Sequence, residues 1–246
     1  MQHDLRSDGD GPVPGSPAVA IVLLAAGLSA RMGGPSKLLL DVGGEPMIRR
    51  TARNALAMRP AEMVVVTGHR ADEVAAALAG LPVRLVFNPD YAEGQQGSVV
   101  AGLRALRSTC DAVMVMLGDQ PLVTPSHLAS LIAHYRTLAN GAILIPCHRG
   151  RRGNPVLFAA GHIAAVAGRA VDIGCRKLIE RHPEAVVRLE CEDPVFTQDC
   201  DTQEDYGRLL RAVRTSDEAS RPGGQPSPEQ GIVEEQASIF AGSQPT

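Results

Sequence analysis

Two stretches carry residue types whose spacing suits phosphate chemistry. The first runs Leu24-Ala25-Ala26-Gly27-Leu28-Ser29-Ala30-Arg31-Met32-Gly33-Gly34-Pro35-Ser36-Lys37. Small residues after an apolar run let backbone N–H groups approach an anion closely. Arg31 and Lys37 add positive charge beside them. Such a loop can cradle a triphosphate, although a Gly-rich turn with solvated charges would have the same composition. The spacing matches neither G-x-G-x-x-G nor G-x-x-x-x-G-K-[ST], so it is not a dinucleotide fingerprint or a P-loop. The chain has two lysines, Lys37 and Lys177, among 24 basic residues. A compact ammonium kept in an arginine-rich chain suits a phosphate. The second stretch is Leu117-Gly118-Asp119-Gln120-Pro121. A carboxylate at the end of an apolar strand costs free energy unless it has a partner. Mg²⁺ takes hard oxygen ligands, commonly one or two carboxylates with phosphate oxygens, and Asp119 fits that role. An Asp capping the following turn would occupy the same place.

These stretches must be positioned by the elements before them. Apolar, β-branched runs predict strands at Ala18–Ala25, Met63–Thr67, Val83–Phe87 and Ala112–Leu117, with shorter ones at Ala142–Ile145, Val156–Phe158 and Val186–Leu189. Helical segments alternate with them: Met47–Met58, Asp72–Leu78, Ser98–Leu106, a helix to Tyr135 capped by Thr124-Pro125, Gly161–Ala167, Gly174–Arg181 and Thr202–Val213. The alternation predicts an α/β fold, a doubly wound, mostly parallel sheet with helices on both faces. In such sheets ligands sit beyond the carboxyl ends of the strands, where both stretches fall.

Residues 1–17 and 216–246 are rich in Gly, Pro, Ser and Gln or acidic residues and read as a disordered leader and tail, leaving one domain over 18–215. There is no internal repeat. The net charge of −3 and the lack of a basic stripe argue against a nucleic-acid partner. No apolar run reaches a membrane span and no secretion signal opens the chain. Cys110, Cys147, Cys175, Cys191 and Cys200 are scattered, odd in number and without a C-x-x-C pair, which suits reduced thiols in the cytoplasm rather than a zinc site or a disulfide framework.

The ordered set of motifs resembles the molybdenum cofactor cytidylyltransferases, within the family that also holds the molybdopterin-guanine transferases, over about residues 19–213. Leu24-Ala25-Ala26-Gly27 with Arg31-Met32-Gly33 and Lys37-Leu38-Leu39 resembles the signature loop that wraps the NTP phosphates. The guanine-using relatives favour a Gly pair where this chain has Ala26-Gly27, so the resemblance implies CTP. Thr67-Gly68-His69 resembles the segment near the base, and Gly94-Gln95-Gln96-Gly97-Ser98 the base and ribose pocket, with Ser98 near the nucleotide; a Ser opening a helix is otherwise a cap. Gly118-Asp119-Gln120-Pro121 resembles the metal-binding segment. Asp199-Cys200-Asp201-Thr202-Gln203-Glu204-Asp205 resembles a segment that supplies the second carboxylate, from Asp201 in preference to Asp199. Arg152-Gly153-Asn154-Pro155-Val156-Leu157-Phe158 and Asp172-Ile173-Gly174-Cys175-Arg176 resemble segments in the acceptor half. Arg152, Asn154, Asp172 and Arg176 are thereby implied in acceptor binding, the two arginines as bidentate phosphate ligands. Thr202 also suits a cap for the last helix, with Glu204 and Asp205 complementing its dipole.

The resemblance implies a Mg²⁺-dependent nucleotidyltransferase. It would pass CMP from CTP, or the nucleotide of another NTP, to a phosphorylated pterin, with a target molybdoenzyme as a further partner. Two other functions compete: an NAD(P)H-dependent oxidoreductase on the same fold, and a non-catalytic carrier that inserts the finished cofactor.

Overall fold

A computed structural model describes residues 18–28, 36–167 and 174–219. These residues form eight strands and seven α-helices, which alternate as far as β5. The strands are β1 (Val19–Ala25), β2 (Glu62–Thr67), β3 (Arg84–Phe87), β4 (Ala112–Leu117), β5 (Ile143–His148), β6 (Arg151–Arg152), β7 (Val156–Ala159) and β8 (Val186–Glu190). The helices are α1 (Met47–Leu56), α2 (Ala71–Ala77), α3 (Gln95–Ala105), α4 (Pro125–Tyr135), α5 (Ile163–Ala167), α6 (Cys175–Arg181) and α7 (Gln203–Ala219). They form one sheet in the order β3-β2-β1-β4-β7-β5-β6, with β8 paired to β5.

The central strand β1 is buried at all seven positions. It runs parallel to β2 on one side and to β4 on the other. Burial on both faces explains why β1 and β4 read as unbroken apolar runs instead of alternating ones. Ile21 and Leu23 point to a core shared with Ile48 of α1, Val74 of α2 and Leu128 of α4. Val22 and Leu24 point to the opposite core, shared with Val99 and Leu103 of α3, Val166 of α5 and Leu178 of α6. The doubly wound α/β architecture expected from the sequence is therefore present. Each fully buried Leu, Ile or Val contributes about 1.5–3 kcal/mol, so the two faces together dominate stability. A third cluster, in which Val42 and Met47 meet Cys200, Leu209 and Val213, seats α7 beside the first face.

The sheet departs from fully parallel at β7, which is antiparallel to both β4 and β5. Two such reversals leave β5 running the same way as β4. The carboxyl ends of β1, β2, β4 and β5 therefore lie along one edge, and the loops singled out in the sequence gather there.

Local boundaries differ from expectation in instructive places. The helix expected from Ser98 begins at Gln95, because Gly94 takes φ 121° and turns the chain three residues earlier. Ser98 is thus inside α3, not its cap. The cap expected at Thr124 is present: its side chain accepts from the His127 amide, and the His127 ring accepts from the Thr124 amide. Such a cap contributes about 1 kcal/mol. Helix α7 runs to Ala219, beyond the expected domain end at 215. The leader at 1–17 and the tail from 220 onward lie outside the described residues. No helix among the described residues is long and apolar enough to cross a membrane.

Candidate active site

The exits of β1, β2 and β4 are packed against one another by small residues. Ala26 follows β1 and is 5% exposed. A Cβ on Gly68 would fall 2.9 Å from the Ala26 Cβ and 2.5 Å from the Tyr91 Cβ, so only glycine lets the β2 exit lie here. The His69 amide donates to the Ala26 carbonyl at 3.4 Å. Gly118 is held as closely: its amide donates to the Leu24 carbonyl at 2.9 Å, and a Cβ there would meet the Ile48 side chain at 2.7 Å. Buried Thr51 of α1 donates to the Gly118 carbonyl at 3.1 Å. Two independent bonds thus fix the backbone that carries Asp119. Leu24, Ala25, Ala26, Gly27, Thr67, Gly68 and Gly118, all read from the sequence as nucleotide-binding, share this patch of the sheet edge.

At the patch, one ammonium meets two carboxylates. Lys37 Nζ donates to Asp119 Oδ2 at 2.5 Å and to Asp201 Oδ1 at 2.7 Å. The Lys37 side chain is 14% exposed, against 12% for Asp119 and 30% for Asp201. Burial pulls the Lys37 pKa down, yet the charges and hydrogen bonds of the two aspartates outweigh it and hold the pKa above its usual value. The positions join three distant parts of the chain: the turn after the first loop, the β4 exit, and the segment before α7.

That last segment is placed by alternation. Cys200 turns into the third core cluster, with burial lifting its thiol pKa to about 12, so Asp199 and Asp201 flank an apolar anchor. Asp201 is steadied by Asp205, whose carboxylate accepts from the Asp201 amide at 3.2 Å and the Thr202 amide at 2.8 Å. The Thr202 hydroxyl accepts in turn from the Asp205 amide at 3.1 Å, the capping role expected of it. Asp199 takes a different partner: Gln120 Nε2 donates to its Oδ1 at 2.8 Å. Desolvation of the Asp199 carboxyl, and then the negative charges of Asp119 and Asp201, raise its pKa. The structure thus gives different partners to the two aspartates, of which the resemblance preferred Asp201. Asp201 shares Lys37 with Asp119, and Asp199 is tied to Gln120.

Gln120 was not singled out, although it lies within the Gly118–Pro121 motif. It is 3% exposed and also donates to the Phe196 carbonyl at 3.2 Å. Asn88, which follows the third expected strand, had no role assigned either. It is 4% exposed, and its Nδ2 donates to the Ser98 hydroxyl at 3.0 Å, which ties the β3 exit to α3. Ser98 is therefore 3% exposed and engaged in packing two elements. In the other half of the edge, Asn154 is held through its amide, which donates to the Phe196 carbonyl at 2.9 Å. Arg152 and Arg176 line one cavity. Arg31 and Asp172 lie outside the described residues.

No group of three or more His, Cys, Asp or Glu side chains stands together as a complete metal site among the described residues. The pair Asp119 and Asp201 instead offers hard oxygens to a single cation, as their joint hold on Lys37 demonstrates. That donor set fits a divalent ion that completes its coordination with phosphate oxygens.

Comparison with known proteins agrees with this geometry. A family profile described as a MobA-like NTP transferase domain matches residues 21–186. The chain is 33% identical over 205 residues to nicotine blue oxidoreductase of Paenarthrobacter nicotinovorans, covering 79% of this chain and 97% of that protein. Among solved structures it is similar to a nucleotidyl transferase from Methanothermobacter, with a TM-score of 0.70 and 26% identity, over 81% of this chain and 99% of that one. It is also similar to Rv0371c of Mycobacterium tuberculosis in complex with manganese, with a TM-score of 0.63 and 26% identity, over 79% and 99% of the two chains. With the motifs, the sheet order and the profile in agreement, the chain belongs to the MobA-like NTP transferase family.

Proposed function

We propose that this chain transfers CMP from CTP to the phosphate of a small acceptor, molybdopterin in its most specific form, and releases pyrophosphate. The observation that carries the reading is the buried ammonium of Lys37 shared by Asp119 and Asp201 at the exit of β4. An acceptor phosphate oxygen forms the new bond to the α-phosphorus as the bond to the leaving pyrophosphate breaks. The nucleophile is already an anion, so the chain needs no strong general base, and its task is to position and neutralise. Asp119 and Asp201 would hold Mg²⁺, which when bound supplies positive charge to the triphosphate. Lys37, with Arg31 from the preceding loop, would neutralise charge growing on the leaving pyrophosphate. The backbone after β1 would line the phosphates, and Thr67 and Gly68 would border the base. Ala26 supports the choice of CTP, because the guanine-using relatives that the chain resembles favour a glycine at this position. Arg152, Asn154, Asp172 and Arg176 would receive the acceptor. The five unpaired cysteines accord with a reducing cytoplasm.

The test is pyrophosphate release with Mg²⁺ and each of CTP, GTP, ATP and UTP, with and without molybdenum-loaded molybdopterin. Release with CTP that requires the pterin is expected. Release with GTP alone would keep the chemistry and overturn the base assignment. A second reading, reduction of an organic substrate by a nicotinamide cofactor, is favoured by the 33% identity to the oxidoreductase of Paenarthrobacter nicotinovorans. Substrate-dependent NADPH oxidation without pyrophosphate release from any NTP would establish that reading instead.

A further inference from the structure

Beyond the two arginines already assigned to the acceptor, the sheet places a third beside them. Arg152 of β6 lies opposite Cys147 of β5, and Arg188 of β8 lies opposite Ile145. Ile145 and Cys147 are two residues apart and face the same core, so Arg152 and Arg188 project on one face from strands on either side of β5. Neighbouring strands are about 4.8 Å apart, so two long side chains can converge on a group seated above β5. Helix α6 crosses that face and brings Arg176 to the same cavity, of about 160 Å³, which has Ile145 and Cys147 among its walls.

The charges there do not cancel. Glu180 meets Arg176 at 3.1 Å and offsets one cation. Glu190, next along β8 on the same face, accepts from the Arg149 amide and keeps its negative charge, but it is not among the cavity walls. The walls, with three arginines and one glutamate, therefore carry an excess of positive charge over an apolar floor. Desolvation lowers the Arg152 pKa, and the like charges of Arg176 and Arg188 lower it further. Like charges gathered at one cavity repel one another, so the arrangement gains stability when an anion enters.

We infer that Arg152, Arg176 and Arg188 form one pocket that seats a phosphate monoester, with Arg188 as its third arm. The excess of positive charge suits the dianion of a monoester, and guanidinium forks suit its oxygens. Naming the acceptor as the source of that phosphate rests on the proposed transfer reaction. The 2′-phosphate of NADPH has the same chemistry under the oxidoreductase reading.

The experiment is titration calorimetry of inorganic phosphate into the full chain, without NTP. Wild type should bind, and Arg188→Gln should weaken binding by about tenfold or more, the loss expected for a charge-assisted hydrogen bond. Arg188→Lys should fall between them. Arg151→Gln, one residue from Arg152 and on the other face of β6, should bind as wild type does. No binding by wild type, or equal binding by wild type and Arg188→Gln with both folded by circular dichroism, would overturn the inference. Arms with molybdopterin, NADPH and NADH assign the source: phosphate competing with the pterin marks the acceptor, and phosphate competing with NADPH but not NADH marks the dinucleotide. In the transfer assay Arg188→Gln should raise the KM for the acceptor and leave that for CTP unchanged; a raised KM for CTP alone would contradict it. Because phosphate binding needs no turnover, a failed transfer reading would leave it intact. A failed pocket would leave CTP-dependent pyrophosphate release intact.

Discussion

The Lys37 cluster and the Arg152 pocket share one edge of one sheet and treat charge in opposite ways. At the β4 exit a cation is already matched by two carboxylates, and the backbone beneath is pinned by the Thr51 and Leu24 bonds to Gly118. On the β5–β8 side, three arginines share a cavity with one partner carboxylate among its walls. A matched cluster can exchange its partners as charge moves in a reaction. An unmatched one waits for an anion. The difference suggests a division of labour: chemistry at Asp119, and capture of a second, phosphorylated molecule at the arginines.

Substitutions can break that contrast, and the largest effect belongs to Asp119. Asp119→Ala should reduce turnover by on the order of 10³-fold, comparable to losing a principal electrostatic group of an active site. Phosphate binding at the arginine pocket should stay unchanged; an enzyme of near-normal activity would sink the assignment of Asp119. Next in size, Lys37→Arg keeps the charge but replaces a compact ammonium with a planar fork in a site only 14% exposed. A loss of about 10²-fold in kcat is expected, and full activity would show that position 37 requires charge alone.

The smallest effect on activity comes from the far end of the sheet. Glu62 opens β2, where its carboxylate accepts from the amides of Arg107 and Ser108 and pairs with Arg84. Burial opposes ionisation there, but those three partners prevail and lower its pKa to about 2. A depressed acid stabilises the fold above its unfolded pKa of about 4.5, and that stabilisation is lost as pH falls toward 2. Glu62→Gln should therefore cost about 2 kcal/mol at neutral pH. It should also flatten the acid limb of the stability curve, read by denaturant melts across pH, and leave kcat unaltered. A drop in kcat at unchanged stability would mean that the two ends of the sheet are coupled.

The sequence disclosed a good part of this molecule. Buried parallel strands read as apolar runs, and short glycine-bearing loops after them marked the edge where the Lys37 cluster forms. The reversal at β7 was not legible, since strand direction depends on how the chain returns from β5 through the two-residue β6, too short to leave a pattern. The resemblance preferred Asp201 to Asp199, and the inward turn of Cys200 and the reach of Gln120 give the physical difference between them. Arg188 has no signal of its own within the strand expected at Val186–Leu189. Its meaning appears once the register places it across β5 from Arg152. Gln120 and Asn88 act through buried side-chain bonds to distant residues, which no local spacing encodes.

The central claim is that the α-phosphate of CTP ends on the acceptor. The most direct measurement follows two labels separately, incubating the full chain with Mg²⁺, molybdopterin and CTP labelled at either the α- or the γ-phosphorus. The α-label should move to the pterin and the γ-label to pyrophosphate, and neither should move with Asp119→Ala. An α-label that stays in CTP while NADPH is consumed, or a γ-label that moves to the acceptor, would contradict nucleotidyl transfer at this site.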